Sequence, residues 1–567
     1  MTSTMSGGEA LARSFAAHES GDMFGMGGFQ LLPFYAAVRT LGMRHHLIND
    51  ERTGAFAADA YARMTGRPGV CDATLGPGAT NLVTALAEST NAGVPLIAVT
   101  GDTHRGYSGR HMTQETQQVE ILRPAAKALL RVEQPERIPE LVRRAYTIAT
   151  SGRPGAVVLD VPEDVCHAQV TMPDDAFWTD SETHRVPARR TRPDQHTLDR
   201  AVALLATAER PVLLAGGGIH LSGAHEALAA FVRAWGVPVA HTMSGKGSVS
   251  CLDPLSIGLF GRYSRFANDL IKTADLVVVA GCKLGEIATE RYDLLPPATP
   301  MIHIDVLSED FGRTARPTVA LWGDAASTLT DLAAASSTTT RTGYLEEIDG
   351  RRRTWQERTR PRLTTDERPI NVARLVHELN GMLPADAVLI ADGGFAAHWT
   401  GLLYDTKQAG RGYVADRGLA SIGYGVPGAL GAALAVPDRP VVALSGDGGL
   451  NMSLGDLETL RRADVNATIV VVNNAASGYV KALQHVLFDG GYQSSDLSEI
   501  DYGAVASALG CHGVRIEDPD ALAPALTEAV TTPGPSVVDV VVTRDPAKML
   551  PGVDKRAASK RADDRIA

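Results

Sequence analysis

The sequence predicts an α/β protein made of three doubly wound, mostly parallel-sheet domains. Three observations carry this. The chain has 567 residues, more than one hydrophobic core supports, and domains of about 150–200 residues make three the natural division. Short apolar, β-branched runs end again and again in glycine-rich turns that open helix-like segments, the alternation expected of a parallel sheet. The pattern comes in three blocks, residues 1–170, 190–335 and 365–550, separated by polar stretches.

Bulk properties narrow the function classes. A net charge of −11 argues against a general nucleic-acid binder. No segment carries 18 unbroken apolar residues, and the opening MTSTMSGGEA lacks a basic-then-apolar leader, so neither a membrane span nor a secretion signal is expected. Cys71, Cys166, Cys251, Cys282 and Cys511 are scattered and form no CxxC pair. They read as buried reduced thiols in a cytoplasmic protein, neither a disulfide framework nor a zinc site.

In the first block, a helix over 8–18 leads to a short strand and the turn Gly25-Met26-Gly27-Gly28. A strand over 46–49 gives way to a helix at Glu51. By itself, a glutamate there reads as a cap or a partner of the helix dipole. The strand 69–74 runs into Gly76-Pro77-Gly78-Ala79-Thr80-Asn81, and 95–100 is a strand ending at Gly101-Asp102. Residues 104–123 read as a polar loop and then a helix; His111 in this loop is either a proton donor or an exposed loop histidine. Residues 166–192, polar and rich in Pro, Asp and Thr, read as a linker.

In the second block three strands end in turns: 211–215 at Gly216-Gly217-Gly218, 274–280 at Gly281, and 301–305 at Asp305. Such turns suit a dinucleotide but also occur in empty Rossmann-like domains. Residues 336–368 are charge-dense and suggest a linker carrying one solvated helix. The third block opens with a helix to Leu383 and a strand to Asp392 that runs into Gly393-Gly394. The charged, alanine-rich stretch from Asp554 reads as a frayed tail.

The most informative stretch is 441–474. An apolar run, Val441–Leu444, ends in Gly446-Asp447-Gly448-Gly449; a helical segment follows; a second run, Ile469–Val472, ends in Asn473-Asn474. Strand–helix–strand means parallel neighbours, and a right-handed crossover puts Asp447 and Asn474 side by side at the carboxyl ends, where open α/β sheets bind ligands. A carboxylate and an amide oxygen are hard donors suited to Mg²⁺ or Ca²⁺, with vacancies for phosphate oxygens. Glycines at 446, 448 and 449 let the backbone approach those phosphates ahead of a helix N-terminus. The ligand these residues predict is a magnesium diphosphate.

This GDG…NN pattern, the run from Glu51 to Arg63 with GPGATN at 76–81, and the stretch 417–432 (RGLASIGYGVPGALGA) together resemble the acetohydroxyacid (acetolactate) synthase family of thiamine diphosphate (ThDP) enzymes, over about residues 8–550. The resemblance implies pyrimidine-binding, central Rossmann-like and diphosphate-binding domains. It implies that Asp447, Asn474 and the carbonyl of Ala476 hold Mg²⁺. Gly394, Gly446, Gly448, Gly449, Gly478, Tyr479 and Val480 would border the diphosphate, and Pro77 and Asn81 would lie near the cofactor. Glu51 would bond N1′ of the aminopyrimidine and exchange a proton with it, a task suited to a carboxylate in a fairly apolar site. Ile422 would prop the cofactor into its bent shape. Gln114 would line the active site, with His111, Phe29 and Gln30 shaping the substrate pocket.

The implied reaction is cleavage, with decarboxylation, of a 2-oxo acid donor and transfer of the acyl unit to an acceptor. Decarboxylation or C–C lyase or hydrolase chemistry without ligation, a non-catalytic regulatory homologue and a nucleotide-binding oxidoreductase stay open as alternatives. The resemblance also implies a homodimer or homotetramer, with each site between the first domain of one subunit and the third of another. Three departures matter. Phe29 stands where the synthase has glycine, and Leu483 where it has a tryptophan linked to acceptor choice. Leu307 and Lys283-Leu284-Gly285-Glu286 replace residues of the central domain, where many members carry FAD, so FAD and an empty domain are both open.

Overall fold

The computed structural model describes residues 2–336 and 341–552; the stretch from Asp554 lies outside the described residues. The three parallel sheets that the sequence predicts are present, each of six strands. The first runs in the order His45–Leu47, Met23–Met26, Gly69–Ala73, Leu96–Asp102, Ala156–Pro162, Ala128–Arg131. The third has the same order of chain positions: Tyr413–Ala415, Val388–Ala391, Val441–Gly446, Thr468–Asn473, Ser536–Val541, His512–Ile516. Strands such as Leu96–Asp102 and Thr468–Asn473 are buried along their whole length, so they read as continuous apolar runs and not as alternating ones.

This order creates a switch point in each sheet, where consecutive connections leave in opposite directions and open a crevice at the carboxyl edge. In the first sheet it lies between Met23–Met26 and Gly69–Ala73, whose following turns carry Phe29, Gln30 and residues 76–81. In the third it lies between Val388–Ala391 and Val441–Gly446, whose turns carry Gly394 and Asp447.

The second sheet, Ser256–Leu259, Val239–His241, Pro211–Ala215, Leu276–Ala280, Met301–Asp305, Val319–Trp322, has the dinucleotide-fold order. At its switch point two glycine turns pack backbone to backbone. A Cβ on Gly216 would strike the carbonyl of Gly281, and one on Gly218 would come within 2.6 Å of the Gly281 Cα. Close packing of two turns therefore accounts for these glycines without a nucleotide.

Two compact units emerge. One comprises Met1–Arg189, Asp416–Asp438 and Met452–Ala467; the other comprises Arg190–Ala415, Arg439–Asn451 and the chain from Thr468 onward. In the first unit, the helix Glu51–Thr65 packs along the helix Gly425–Ala435. Phe56 meets Tyr424 edge-on at 5.3 Å, and Gly431 has no room for a Cβ against the Ala57 carbonyl. A first-block helix is thus covered by third-block residues of the same chain.

The reading of 166–192 as a linker needs correction. Gln169–Pro173 forms a strand antiparallel to Thr2–Ser6. That pairing spans most of the first domain in sequence and leaves no local signal. The polar stretch after residue 340 does carry one helix, Thr342–Leu363.

Candidate functional site

The residues singled out fall into two groups, one in each unit. In the second unit, strands Val441–Gly446 and Thr468–Asn473 pair with Gly446 opposite Val472. This register sets Asp447 beside Asn474, and the Asn474 N–H donates to Asp447 Oδ2 at 3.2 Å. Gly448 N–H donates to Oδ1 at 2.7 Å. Asp447 is buried, and burial pushes its carboxyl up to about 6, against the opposing pull of the N–H groups of Gly448, Ala475, Ala476 and Asn474.

Ala475, at φ +50°, turns the chain sharply after Asn474. Residues 475–477 then pair with 495–497: Leu497 N–H donates to the Ala475 carbonyl and Ser477 N–H to the Ser495 carbonyl, both at 2.8 Å. The ladder uses the carbonyl before Ala476 and the N–H after it, which leaves the Ala476 carbonyl out of the pairing.

The donor set fits a hard dication: one carboxylate, one amide and one carbonyl, all oxygen. The surroundings fit a diphosphate. A Cβ on Gly446 would meet nothing within 4 Å, and one on Gly448 only Leu497 Cδ1 at 3.7 Å. Helices Phe395–Leu403 and Gly478–Leu487 begin without a side-chain cap, as a helix start that receives an anion does. Gly394, at φ +69° and ψ −133°, occupies backbone space that only glycine enters readily. Gly478 leaves room for the Asn474 amide, which would lie 2.8 Å from a Cβ there.

The missing Cβ of Gly449 also makes room for the buried carboxylate of Asp392, which accepts from Ser445 Oγ and from Gly393 N–H at 2.7 Å. The Tyr479 hydroxyl is engaged by Arg262 Nη1 at 3.2 Å, and Arg262 in turn pairs with Glu286 at 3.0 Å. Val480, beside it, is exposed.

In the first unit, Glu51 opens its helix behind the Asp50 cap, which accepts from Arg52 N–H. Glu51 is only 6 % exposed. Asn81 Nδ2 donates to its Oε2 at 2.9 Å, and a Cβ on Gly78 would come within 2.9 Å of its Oε1. The GPGATN turn is therefore shaped around this carboxylate: Gly78 gives it space, Asn81 orients it, and Pro77 starts the helix that carries both. Oε1 has no hydrogen-bond partner among the described residues. Asn49 and Arg52, flanking Glu51, bond to Asp456 and to the Met452 carbonyl.

Gln114 and His111 lie on an exposed loop, both at positive φ. Glu115 folds this loop, accepting from Gly109 N–H at 2.6 Å and Met112 N–H at 3.1 Å. The Gln114 backbone closes over Gly76, which has no room for a Cβ. Gln30 Oε1 accepts from Thr74 at 2.9 Å, while Phe29 is 59 % exposed and stacks on His167. Ile422 is also exposed.

Sequence reasoning missed Gln118 and Glu88. Gln118, buried, accepts from Gly76 N–H at 2.9 Å and donates to the Gly101 carbonyl and to Asp160. It ties the GPGATN turn to the sheet edge. No local pattern marks a single glutamine in a short helix.

The pH dependence of this pair follows from Asp447. Its folded value lies above the unfolded one, near 3.8, so the proton stabilises the folded apoprotein. That contribution is present below about 4 and is lost as pH rises through about 6. At pH 7 the buried carboxylate costs about 3 kcal/mol, and a dication bound to the ionised form would offset it. The gain in Tm from Mg²⁺ and ThDP is therefore expected to shrink as pH falls from 7 through 6 to 5. Thermal melts with and without both ligands test this, and a gain independent of pH contradicts it.

Comparison with known proteins agrees with this geometry. Residues 5–121 match the family described as thiamine pyrophosphate enzyme, N-terminal TPP binding domain; residues 198–332 match its central domain and 392–540 its C-terminal TPP binding domain. The chain is 33 % identical to a probable acetolactate synthase large subunit of Methanocaldococcus jannaschii, covering 97 % of this chain and 93 % of that protein. It is 33 % identical to the acetolactate synthase large subunit of Parasynechococcus marenigrum, covering 95 % and 88 %. It is 30 % identical to the acetolactate synthase isozyme 2 large subunit of Escherichia coli, covering 95 % and 96 %. With Glu51 held by the GPGATN turn and Asp447 set beside Asn474, the chain belongs to the acetolactate synthase family of thiamine diphosphate-dependent enzymes.

Proposed function

We propose that this protein is a carboligase that decarboxylates a 2-oxo acid and passes the acyl unit to an acceptor, using ThDP held through Mg²⁺. The observation that carries the reading is the retention, in one chain, of a buried glutamate oriented by Asn81 and of an all-oxygen metal pair beside an open glycine turn. Asp447, Asn474 and the Ala476 carbonyl would hold the metal, and the uncapped helix starts at 395 and 478 would receive the phosphates. Bound there, ThDP supplies the nucleophilic carbon and the electron sink for breaking the bond beside the donor carbonyl. Glu51 gives and takes a proton at N1′, and Asn81 keeps its carboxylate aimed. Phe29 and Gln30 at the first switch point, with Gln114 and His111 on the loop, shape the substrate side.

The bulk of Phe29 in place of glycine, and Leu483 in place of tryptophan, support a donor–acceptor pair other than that of branched-chain amino-acid synthesis. The self-packed turns of Gly216, Gly218 and Gly281 support a central domain that works without FAD. The five free cysteines support a reducing, cytoplasmic setting, and among the described residues no helix is long and apolar enough to cross a membrane. The family resemblance supports a homodimer or homotetramer.

Incubation with ThDP, Mg²⁺ and a panel of 2-oxo acids, alone and paired with aldehydes, tests the reading through carbon dioxide release and product masses. A coupled product is expected. Carbon dioxide with only free aldehyde overturns carboligation, and absence of ThDP binding overturns the whole reading.

A further inference from the structure

We infer that Glu88 is a positioning residue for the cofactor, acting through the turn that presents Ile422; this rests on the reading of Ile422 as the prop beneath ThDP. Glu88, on the helix Val83–Ala92, has no solvent exposure. Its carboxylate receives three consecutive backbone N–H groups from the turn ahead of Ile422. Oε1 accepts from Gly418 at 2.8 Å, and Oε2 accepts from Leu419 and, at 3.2 Å, from Ala420.

The turn cannot take this shape unaided. Ala420 sits at φ +60°, a conformation that costs any residue with a Cβ. Gly418 lies so close to the Glu88 carbonyl that a Cβ would collide with it. Leu419 and Ile422 leave their apolar side chains exposed, so contacts of those side chains do not fix the turn. The buried anion does, through charge-assisted hydrogen bonds.

Charge balance shows why the turn is needed in return. Arg63 donates to Glu88 Oε1 at 3.0 Å and to Asp59 Oδ1 at 2.6 Å, one guanidinium against two buried carboxylates. Ser89 and Tyr424 hydroxyls donate to Asp59, each at 2.8 Å. The negative charge left over is met by the three N–H groups of residues 418–420, and the phenol of Tyr424 anchors the far side of the same turn. Asp59 and Arg63 lie on the helix that begins at Glu51. One helix therefore carries Glu51 at its start and, two to three turns on, the Asp59–Arg63 pair that holds the Glu88 clamp.

The test measures ThDP dissociation constants at saturating Mg²⁺, together with the near-ultraviolet circular dichroism of the bound cofactor, for wild type, Glu88→Gln, Ile422→Ala and the double variant. Glutamine keeps the shape but turns an amide N–H toward backbone donors. Glu88→Gln and Ile422→Ala are each expected to weaken ThDP binding by about tenfold and to change the dichroism in the same way. The double variant should be little weaker than either single one, because both act through one turn. Wild-type ThDP binding by Glu88→Gln alongside weakened Ile422→Ala overturns the inference and leaves the prop reading standing, as do losses that multiply in the double variant. Unchanged binding by Ile422→Ala overturns both. If Glu88→Gln does not fold, Glu88→Asp, which keeps the charge and shortens the reach by one methylene, replaces it with the same outcomes.

Discussion

Glu51→Gln is expected to lower turnover by about a hundred- to ten-thousand-fold, the range for losing a positioned acid–base group, while Mg²⁺ and ThDP stay bound. The substitution keeps volume and shape, so Gly78 still clears the side chain and Asn81 Nδ2 still finds a carbonyl oxygen at 2.9 Å. What disappears is the carboxylate proposed to exchange a proton with N1′. None of the residues assigned to metal or diphosphate is touched. The measurement pairs turnover with calorimetric ThDP binding. Full turnover would falsify the proton-exchange role, whereas lost binding would show that Glu51 holds the cofactor rather than working on it.

Asp447→Ala has the opposite profile. It removes one of the two side chains proposed to hold the metal and leaves the N–H groups of Gly448 and Asn474 without their acceptor. Mg²⁺-dependent ThDP affinity is expected to fall at least about a hundredfold. Ligand present at a hundred times its wild-type Kd, which adds about 2.7 kcal/mol of stability to the wild type, should then raise the Tm of the variant little or not at all. The pH dependence of that gain should vanish with the carboxylate. An undiminished Tm gain in the variant would move the metal elsewhere.

These two residues were legible in the sequence for a physical reason. A strand end, a glycine turn and a hard oxygen donor are adjacent in the chain, and the strand–helix–strand spacing alone forces Asp447 and Asn474 together. Glu51 was legible as a helix start, and as something more only through its resemblance to a known pattern. Glu88 and Gln118 were not legible: each is a common polar residue on a helix, and its partners lie on segments far away in sequence or on bare backbone. Gly449 was legible as a turn glycine, but the packing of its missing Cβ on the Asp392 carboxylate was not, because Asp392 ends a different strand. The strand Gln169–Pro173 hid in a linker because antiparallel pairing with residues 2–6 has no local signature. The grouping of 416–438 and 452–467 with the first domain was equally out of reach, because a reading in chain order assigns contiguous blocks.

That grouping has a consequence for biosynthesis. The helix Glu51–Thr65 leaves the ribosome 360 residues before Gly425. At roughly 5–20 residues per second its apolar face waits about 20–70 s for the helix that covers it. During that interval the first sheet is complete but the nascent chain still displays Phe56 and the alanine-rich ridge beside it. Messages cut short after the central domain therefore yield chains with two finished sheets and one bare helix, a recipe for aggregation and for engagement by chaperones during synthesis.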